Sequence, residues 1–460
     1  MLRGPGDADS LARAVEQQYP RRVEHRQVGI ENEYPVVTAT GEGVEFSAIR
    51  ALFEDLADLG WQIERDPETS EPVSASQQRE GAAMADLVTL EFGFHTLEVN
   101  LAPADDLWAA EAGLREVHST LCDALRRTGS YLIGYGVQPL ARPVADNVSP
   151  RGRYRVFERA WAGHPENEGD GLYLLTLSAA SQTHVDVARD EAIEVVNGLN
   201  LTAGLRIALC ANSPVWQGRI GGHAASRELF WDWAYPARAP QTGIPSPFRS
   251  VDDYTRRLLS FPCHLARRHE DFYALDHTRT NGDFLGGAAN LAIAADGRTV
   301  ELRPADEDAE MLWGLVWFDA RLQPRYGTVE DRCSCEQPPE SHLAPAALTL
   351  GLVENRSGLA EIAARLPLDG WRDLRTRACE RALEIVDEEV AVLAAALLDA
   401  ARTGLRARGC DEERYLDPLI ERLAKRVGPA SQAKAWFEEG GAAALVSGSD
   451  MQVFAHQSSA

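Results

Sequence analysis

Lysine is nearly absent from this 460-residue sequence, whose basic residues are almost all arginine. The two lysines, Lys425 and Lys434, both lie near the C-terminus. Their position excludes a phosphate-binding loop of the Gly-Lys-Ser/Thr type. It also excludes Schiff-base chemistry on a lysine amine anywhere before residue 425. Any phosphate group that the protein binds must therefore meet arginine or metal.

Positive charge is scarce as well, since 46 basic residues face 70 acidic ones and the formal net charge is −24. No basic field attracts phosphate backbones or anionic lipids, so we expect neither a nucleic acid nor a membrane as a partner. No stretch approaches the roughly 18 consecutive apolar residues of a membrane span. The N-terminal segment 1–22 lacks the apolar core of a signal peptide, and we therefore expect a cytoplasmic protein.

Cysteine is sparse and its spacing indicates no metal site. The seven cysteines are an odd number, and the only close pair is Cys333 and Cys335 in the segment DRCSCEQPP. A C-x-C pair without a second pair is weak evidence for zinc. Reduced thiols, with Cys333 and Cys335 in a surface loop, are the expectation.

Apolar residues make up 45% of the chain, enough to bury a large core. Helices are predicted at about 8–19, 47–59, 105–127, 372–402 and 411–427, and strands at 28–37, 86–92, 95–101, within 171–187 and on both sides of a turn at Asp296–Gly297. We predict an α+β fold, an antiparallel β-sheet flanked by helices, in a single domain over residues 1–437. The polar segment 65–85 is predicted to be a mobile loop, and residues 438–460 a disordered tail.

Carboxylates occupy positions where a strand is half buried. In VGIENEYPVV, residues 28–37, Glu31 and Glu33 project from the same face of the predicted strand. Like charges that close repel each other, and a carboxylate near a core is costly unless a cation meets it. Three further strands, HTLEVNL, QTHVDV and TVELRP, show the same anomaly, and Glu91 precedes Glu98 by seven residues. The polar side chains of these segments are Glu31, Glu33, Glu91, Glu98, His184, Asp186, Glu301 and Arg303.

Two interpretations of this polar face remain open. Each strand alone is well explained as the wet face of a half-buried antiparallel sheet. Together, however, the strands are dominated by carboxylates, which destabilise a sheet when they are neighbours. Several carboxylates with one imidazole suit more than one Mg²⁺ or Mn²⁺ ion. Such magnesium clusters usually hold the phosphates of a nucleotide.

In this order and spacing, GIENE, TLEFGFHTLEVNLAP, QTHVDV and VELRP resemble the glutamate–cysteine ligase family, within the glutamine synthetase-like superfamily. The segments ALCANSPVWQG and ASRELFWDW are similar to those of its bacterial carboxylate–amine ligase branch. The resemblance covers about residues 25–435. It implies a glutamine synthetase-like catalytic fold in which the carboxylate-rich face of the sheet is the active site.

The resemblance also implies roles for individual residues. The metal ligands that it implies are Glu31, Glu33, Glu91, Glu98, His184 and Glu301. It places Arg303 at the nucleotide phosphates, together with Glu33 and Glu98, and it makes Glu301 and Arg303 catalytic. The substrate contacts that it implies are Arg227, Arg153, Tyr154 and Asp186. Arginine and tyrosine at 153 and 154 are equally well explained as surface and packing residues.

The implied activity is that of an ATP-dependent carboxylate–amine ligase. Transfer of the γ-phosphoryl group of ATP turns a carboxylate into an acyl phosphate, and an amine then displaces phosphate. The family favours the γ-carboxylate of L-glutamate as the acid and L-cysteine or another amine as the acceptor. A ligase of specialised metabolism with other substrates, a kinase-like relative and a non-catalytic relative remain alternatives, and homo-oligomer formation is left open.

Overall fold

The computed structural model describes residues 8–79, 81–162, 171–234, 241–269, 271–276, 278–287 and 289–456. Its strands are β1 (Val28–Thr38), β2 (Gln62–Arg65), β3 (Pro72–Gln77), β4 (Asp86–Leu90), β5 (Thr96–Asn100), β6 (Ser130–Leu132), β7 (Ala180–Asp186), β8 (Val215–Trp216), β9 (Arg219–Ile220), β10 (Thr242–Gly243), β11 (Leu265–Arg268), β12 (Asp271–Leu275), β13 (Asn290–Ala294), β14 (Thr299–Leu302), β15 (Trp317–Phe318), β16 (Ala320–Gln323) and β17 (Thr328–Cys335).

Helices account for most of the remaining regular structure. They are α1 (Ala8–Gln18), α2 (Phe46–Asp58), α3 (Leu107–Arg127), α4 (Gly152–Ala162), α5 (Ala192–Leu201), α6 (Ala203–Cys210), α7 (Ser226–Ala234), α8 (Val251–Leu259), α9 (Asn281–Leu285), α10 (Asp306–Gly314), α11 (Ala344–Glu354), α12 (Arg356–Ala363), α13 (Leu368–Arg381), α14 (Glu388–Arg408), α15 (Asp417–Lys425), α16 (Pro429–Gly448) and α17 (Gln452–His456). The α+β fold predicted from the sequence is confirmed.

A nine-stranded antiparallel sheet organises the fold. Its strand order is β16-β17-β7-β1-β5-β4-β3-β2, and β6 pairs with the far end of β1. Side chains alternate along β1, so that Ile30 and Tyr34 face the hydrophobic core while Glu31 and Glu33 face the other way. The core side of the sheet is covered by α2, α3 and α11.

Helix α3 shows why the covering helices form where they do. The Asp106 carboxylate caps its first turn by accepting a hydrogen bond of 2.8 Å from the backbone N–H of Ala109. Arg126 and Arg127 lie in its last turn, where cations offset the helix dipole. Its apolar side chains, among them Leu114, pack on the core.

A smaller four-stranded antiparallel sheet, β11-β12-β13-β14, lies apart from the large one. Its last two strands form the hairpin predicted at Asp296–Gly297. The Arg159 side chain on α4 donates a hydrogen bond of 2.8 Å to the backbone carbonyl of Ala294 and so ties the hairpin to this helix. The hairpin forms one wall of a cavity described below.

Four local predictions are corrected. The segment 65–85 contains strand β3, because Val73 and Ala75 are buried in the core. Residues 171–177 form 3₁₀ turns, so only β7 is a strand in that region. The long helix predicted at 372–402 is interrupted, since α13 ends at Arg381 and α14 begins at Glu388. Cys333 and Cys335 are buried in β17 and do not lie in a surface loop.

The tail from residue 438 is helical as far as the structure describes it. Helix α16 continues to Gly448 across a kink at Gly440 and Gly441, where Gly441 has a φ of 66° that favours glycine. Leu445 and Phe454 are buried, and α17 packs on α3. Apolar anchoring therefore orders a segment whose small residues predict disorder.

Among the described residues, no single helix is long and apolar enough to cross a membrane. The bent pair of α5 and α6, which meet at 55°, reaches the necessary length and composition only together.

Candidate active site

The face of the large sheet that points away from the core gathers the predicted acidic residues. Register places Glu33 of β1 opposite Glu98 of β5, and Gly29 of β1 opposite His184 of β7. On the other side of β7, His184 lies opposite Glu330 of β17. Residues opposite each other share a face, so antiparallel pairing brings segments about 300 residues apart in sequence into one cluster.

One group of carboxylates consists of Glu33, Glu91 and Glu98, whose oxygens lie within 4.8 Å of one another. Glu33 is held by the backbone N–H of Ala180 at 2.7 Å and by the amide of Gln182 at 2.9 Å. These two donors hold the Glu33 carboxylate in place beside those of Glu91 and Glu98. We call Glu33, Glu91 and Glu98 the carboxylate group.

Burial and mutual repulsion change the acidity of this group. Burial, followed by the charge of Glu91, raises the pKa of Glu33 to about 8, although Arg227 and Arg332 oppose the shift. Burial, followed by the charges of Glu91 and Glu31, raises the pKa of Glu98 well above its ordinary value. Protein cations do not fully neutralise these carboxylates, so an added cation would lower their energy.

A second group combines Glu31, His184 and Glu330, again within 4.8 Å. The Nδ1 atom of His184 lies 3.1 Å from the hydroxyl of Thr328, while Nε2 lies 3.1 Å from Oε1 of Glu31. The latter contact lacks hydrogen-bond geometry, and Nε2 has no hydrogen-bond partner among the described residues. His184 is thus held at Nδ1, and its Nε2 lies beside Glu31 without a hydrogen-bond partner in the described part of the chain, the arrangement of a metal-binding imidazole once a bound cation has displaced the proton from Nε2.

Charges around the second group keep it ionised. Burial pulls the pKa of His184 down, but Glu31 and Glu330 outweigh it, and the pKa lies above its ordinary value. Burial opposes ionisation of Glu330 too, yet Arg321 and Arg332 hold its pKa well below the ordinary value. Glu330 therefore stays an anion beside His184.

The two groups together fit divalent cations. Five carboxylates and one imidazole form the donor set: Glu31, Glu33, Glu91, Glu98, Glu330 and His184. Hard oxygen donors with a single imidazole suit Mg²⁺ or Mn²⁺ better than zinc. The Nε2 atom of His184 has no hydrogen-bond partner among the residues that the structure describes, and the pKa values of Glu33 and Glu98 are raised. Both features are expected of a cation site without its cation.

Gly29 provides the space that His184 needs. A Cβ atom on Gly29 would lie 3.1 Å from the Cβ of His184, which is tighter than nearly all real Cβ contacts, so His184 would have to shift by a few tenths of an ångström. We expect Gly29→Ala to weaken Mn²⁺ binding about tenfold, measured by titration calorimetry. Gly222→Ala is the control, because a Cβ there meets nothing within 4 Å. Unchanged affinity in Gly29→Ala would show that His184 does not depend on this contact.

Three arginines approach the carboxylate group. Arg227 on α7 donates to the backbone carbonyl of Arg332 at 3.1 Å and pairs with Glu228. Arg332 donates to Gln182 and pairs with Glu330. Arg153, near the start of α4, packs over the ring of Tyr154 at 4.5 Å and lies close enough to Glu91 to interact with its charge.

Glu301 and Arg303 are not part of this cluster. Glu301 lies on β14 of the small sheet, and the side chains of Glu301 and Arg303 are 62% and 74% exposed. The metal and catalytic roles predicted for Glu301, and the phosphate role predicted for Arg303, are therefore corrected. Strand β14 pairs with β13 and does not reach the histidine strand.

Glu330 and Arg332 take the positions beside His184 that the sequence analysis predicted for Glu301 and Arg303. The chain contains two Glu-x-Arg strands, VELRP and VEDRC, and only the second, β17, pairs with β7. The signal was present in the sequence, in the VEDRC segment. Local pattern alone does not decide which of two similar strands lies beside His184.

Asp186 lies away from the predicted substrate arginines. Its carboxylate accepts a hydrogen bond of 2.9 Å from the backbone N–H of Gln27, and it lines a different side of the cluster from Arg227. Burial raises its pKa, although that hydrogen bond opposes the shift.

One large cavity opens on the cluster, and a second cavity lies farther along the sheet. The larger, about 930 Å³, is lined by Glu31, Glu98, His184, Asp186 and Tyr326, and we call it the large cavity. The smaller, about 470 Å³, is lined by Glu64, Arg151, Arg153, Tyr273 and Arg298, and we call it the rim cavity. Both fall within the range of ligand-binding pockets, about 300–1,000 Å³.

The antiparallel sheet with its carboxylate face defines a glutamine synthetase-like fold. The chain belongs to glutamate-cysteine ligase family 2, whose sequence profile matches residues 27–444.

Individual relatives agree with this assignment. The chain is 30% identical over 185 residues to the glutamate–cysteine ligase EgtA of Mycobacterium tuberculosis, a match that covers 34% of this chain and 42% of that protein. It is 26% identical over 348 residues to a Streptomyces avermitilis protein named as a candidate glutamate–cysteine ligase 2-1, covering 74% of this chain and 75% of that protein. The chain thus spans less than half the length of the mycobacterial relative.

The fold is similar to that of a solved glutamate–cysteine ligase. The crystal structure of the Francisella tularensis protein in complex with AMP superposes with a TM-score of 0.53 and is 11% identical, covering 95% of this chain and 91% of that chain. At this level of identity, the similarity to that structure is a similarity of fold alone.

Proposed function

We propose that the protein is an ATP-dependent carboxylate–amine ligase that joins an acid to an amine through an acyl phosphate. The observation that supports this most directly is the double cluster of Glu33, Glu91 and Glu98 beside Glu31, His184 and Glu330. Two adjacent cation sites on one sheet face suit a reaction in which a phosphoryl group moves between two oxygens.

The large cavity is the proposed nucleotide site. It is the larger of the two cavities, and Glu31, Glu98 and His184 lie in its wall, so a triphosphate there would reach both groups. Glu31, Glu98 and His184 would help to hold Mg²⁺ there, and the ion would offset the negative charge of the phosphates. Arg332, which pairs with Glu330, is the proposed protein cation for this charge transfer and takes the role predicted for Arg303.

The acid is proposed to bind on the Arg227 side of the carboxylate group. Arg227 is 3% exposed and lies close enough to Glu33 to lower its pKa. A buried arginine of this kind pairs bidentately with a carboxylate. An amino acid with two carboxylates could leave one on Arg227 and present the other for phosphorylation. L-Glutamate is the proposed acid, with L-cysteine or another amine as acceptor.

The central test is the cation and nucleotide requirement. We expect turnover to require Mg²⁺ or Mn²⁺ and to release ADP and phosphate, because an acyl phosphate forms only by γ-phosphoryl transfer. The measurement is a matrix of acids with ATP, Mg²⁺ and hydroxylamine, read as hydroxamate and ADP. Full turnover in excess EDTA, or AMP as the product, would contradict the proposal.

A further inference from the structure

A row of polar side chains leads from the carboxylate group to the rim cavity. Cross-strand register places Glu33 opposite Glu98, Glu98 opposite Thr89, Thr89 opposite Ser74 and Ser74 opposite Glu64. Because directly opposite residues share a face, all five lie on the active-site side of the sheet. Glu64 also lines the rim cavity, so that cavity begins where the row ends.

Arginines at the start of α4 form the inner wall of the rim cavity. Arg151 donates a hydrogen bond of 2.8 Å to the hydroxyl of Thr89 and lies 3.4 Å from Glu64. Arg153 lines the same cavity and lies close enough to Glu91 for that charge to help raise its pKa, despite burial. Arg151 and Arg153 therefore link the rim cavity to the row of polar side chains and to the carboxylate group.

Both signs of charge line the rim cavity in equal number. Its lining includes five arginines, Arg65, Arg151, Arg153, Arg267 and Arg298, and five acidic residues, Glu64, Asp66, Glu68, Asp271 and Asp296. The whole chain carries a net charge of −24, so this balance is a local departure. A lining with both signs of charge is complementary to a zwitterion.

The outer wall belongs to the β13–β14 hairpin and to β12. Tyr273 of β12 lies opposite Ala294, and Arg298, 78% exposed, follows the turn at Gly297. Arg298 pairs with Asp296 at 2.5 Å but keeps most of its surface free to meet a second anion.

The distance from Glu98 to Glu64 along the row sets the length of a ligand that would lie on it. Strands β5 and β2 are three strand spacings apart, about 14 Å at about 4.8 Å per spacing. One residue of extended chain covers at most about 3.5 Å. A single amino acid therefore reaches only part of the way from Glu98 to Glu64, and three or four residues cover the distance.

We propose that the rim cavity binds the acceptor amine and that this acceptor is a short peptide, not a single amino acid. The peptide's N-terminal ammonium would lie toward Glu33 and Glu98, and its carboxylate toward Arg298. In the step itself, the ammonium first gives one proton to water, the resulting amine nitrogen forms a bond to the acyl carbon, the bond from that carbon to the phosphate oxygen breaks, and phosphate leaves with the second proton. This inference rests on the proposed ligase function.

The experiment separates acid activation from acceptor choice. Hydroxylamine is small enough to intercept the acyl phosphate without filling the rim cavity, and it first identifies the acid. With that acid, kcat/KM is measured for L-alanine, di-, tri- and tetra-alanine, and for L-cysteine, Cys-Gly and Cys-Gly-Gly. We expect at least a tenfold rise from the amino acid to the tripeptide in one series, and a comparable loss when its C-terminus is amidated.

A charge reversal on the outer wall tests the same site. Arg298→Glu should raise KM for the tripeptide about tenfold and leave hydroxamate formation unchanged. Arg249→Glu is the matched control, because Arg249 is also exposed and paired with one nearby aspartate, Asp253, but lies next to α8 outside the rim cavity.

Each outcome has a defined meaning. Single amino acids that equal or exceed every peptide, or an unchanged tripeptide KM in Arg298→Glu, would overturn the peptide assignment while the ligase function stands. Absence of hydroxamate with every acid would instead contradict the ligase function. In that case, calorimetric titration of tri-alanine into the wild type and Arg298→Glu decides the cavity alone: binding lost in the variant supports it, and no binding to the wild type overturns it.

Discussion

Replacing Glu98 by glutamine is expected to lower turnover at least about a hundredfold and, without metal, to make the protein more stable. The loss of turnover follows because the change removes one charge and one anionic ligand from the carboxylate group. Glutamine nearly conserves volume, so the core side of the sheet should pack as before. Hydroxamate formation at saturating Mg²⁺ measures the first effect.

The gain in stability depends on pH, and its sign follows from the raised pKa values. Glu33, with a pKa of about 8, and Glu98, whose pKa is also raised, favour the protonated form when folded. The metal-free fold therefore loses stability as pH rises from the unfolded pKa, about 4.3, through the folded values. Glu98→Gln removes one of these costs, so its gain should be larger at pH 8 than at pH 5.

Thermal unfolding in EDTA at both pH values checks this second effect. We expect Glu98→Gln to raise the free energy of unfolding at pH 8 by at least about 1 kcal/mol. This lower bound is smaller than the about 1.4 kcal/mol that corresponds to a pKa shift of one unit. Glu54→Gln, in the exposed part of α2, serves as the control. A destabilised Glu98→Gln protein would mean that Glu98 is satisfied by its neighbours and does not await a cation.

Much of the active-site face could be predicted from the sequence because its signal is local. Alternation within β1 and β5 places Glu31, Glu33 and Glu98 opposite the apolar side chains of the same strands. His184 follows from the same rule in β7. For these residues, strand geometry alone determines the face, and the pairing partner is not needed.

The remaining part of the site depends on contacts between distant segments. Nothing within VELRP or VEDRC states which strand pairs with β7, and only the packed sheet distinguishes them. The rim cavity likewise arises from segments far apart in sequence, among them β2, the start of α4, β12 and the β13–β14 hairpin. A segment that is polar, such as 65–85, hides a strand because the apolar residues Val73 and Ala75 alternate with serines over only a few positions.

The sharpest test of the site compares the two Glu-x-Arg strands directly. Arg332→Lys should lower kcat/KM at least about a hundredfold, whereas Arg303→Lys should leave it within about twofold. Lysine keeps the charge but replaces the guanidinium, whose Nη1 donates to both Gln182 and Glu330, by a single ammonium that has no second nitrogen to present to a phosphate. Arg321 still pairs with Glu330 at 2.6 Å in that variant, so the fold should survive, and unchanged thermal unfolding verifies this. Full activity in Arg332→Lys together with a large loss in Arg303→Lys would place the reaction on the small sheet, at VELRP, and would overturn the assignment of the active site to the face of the large sheet.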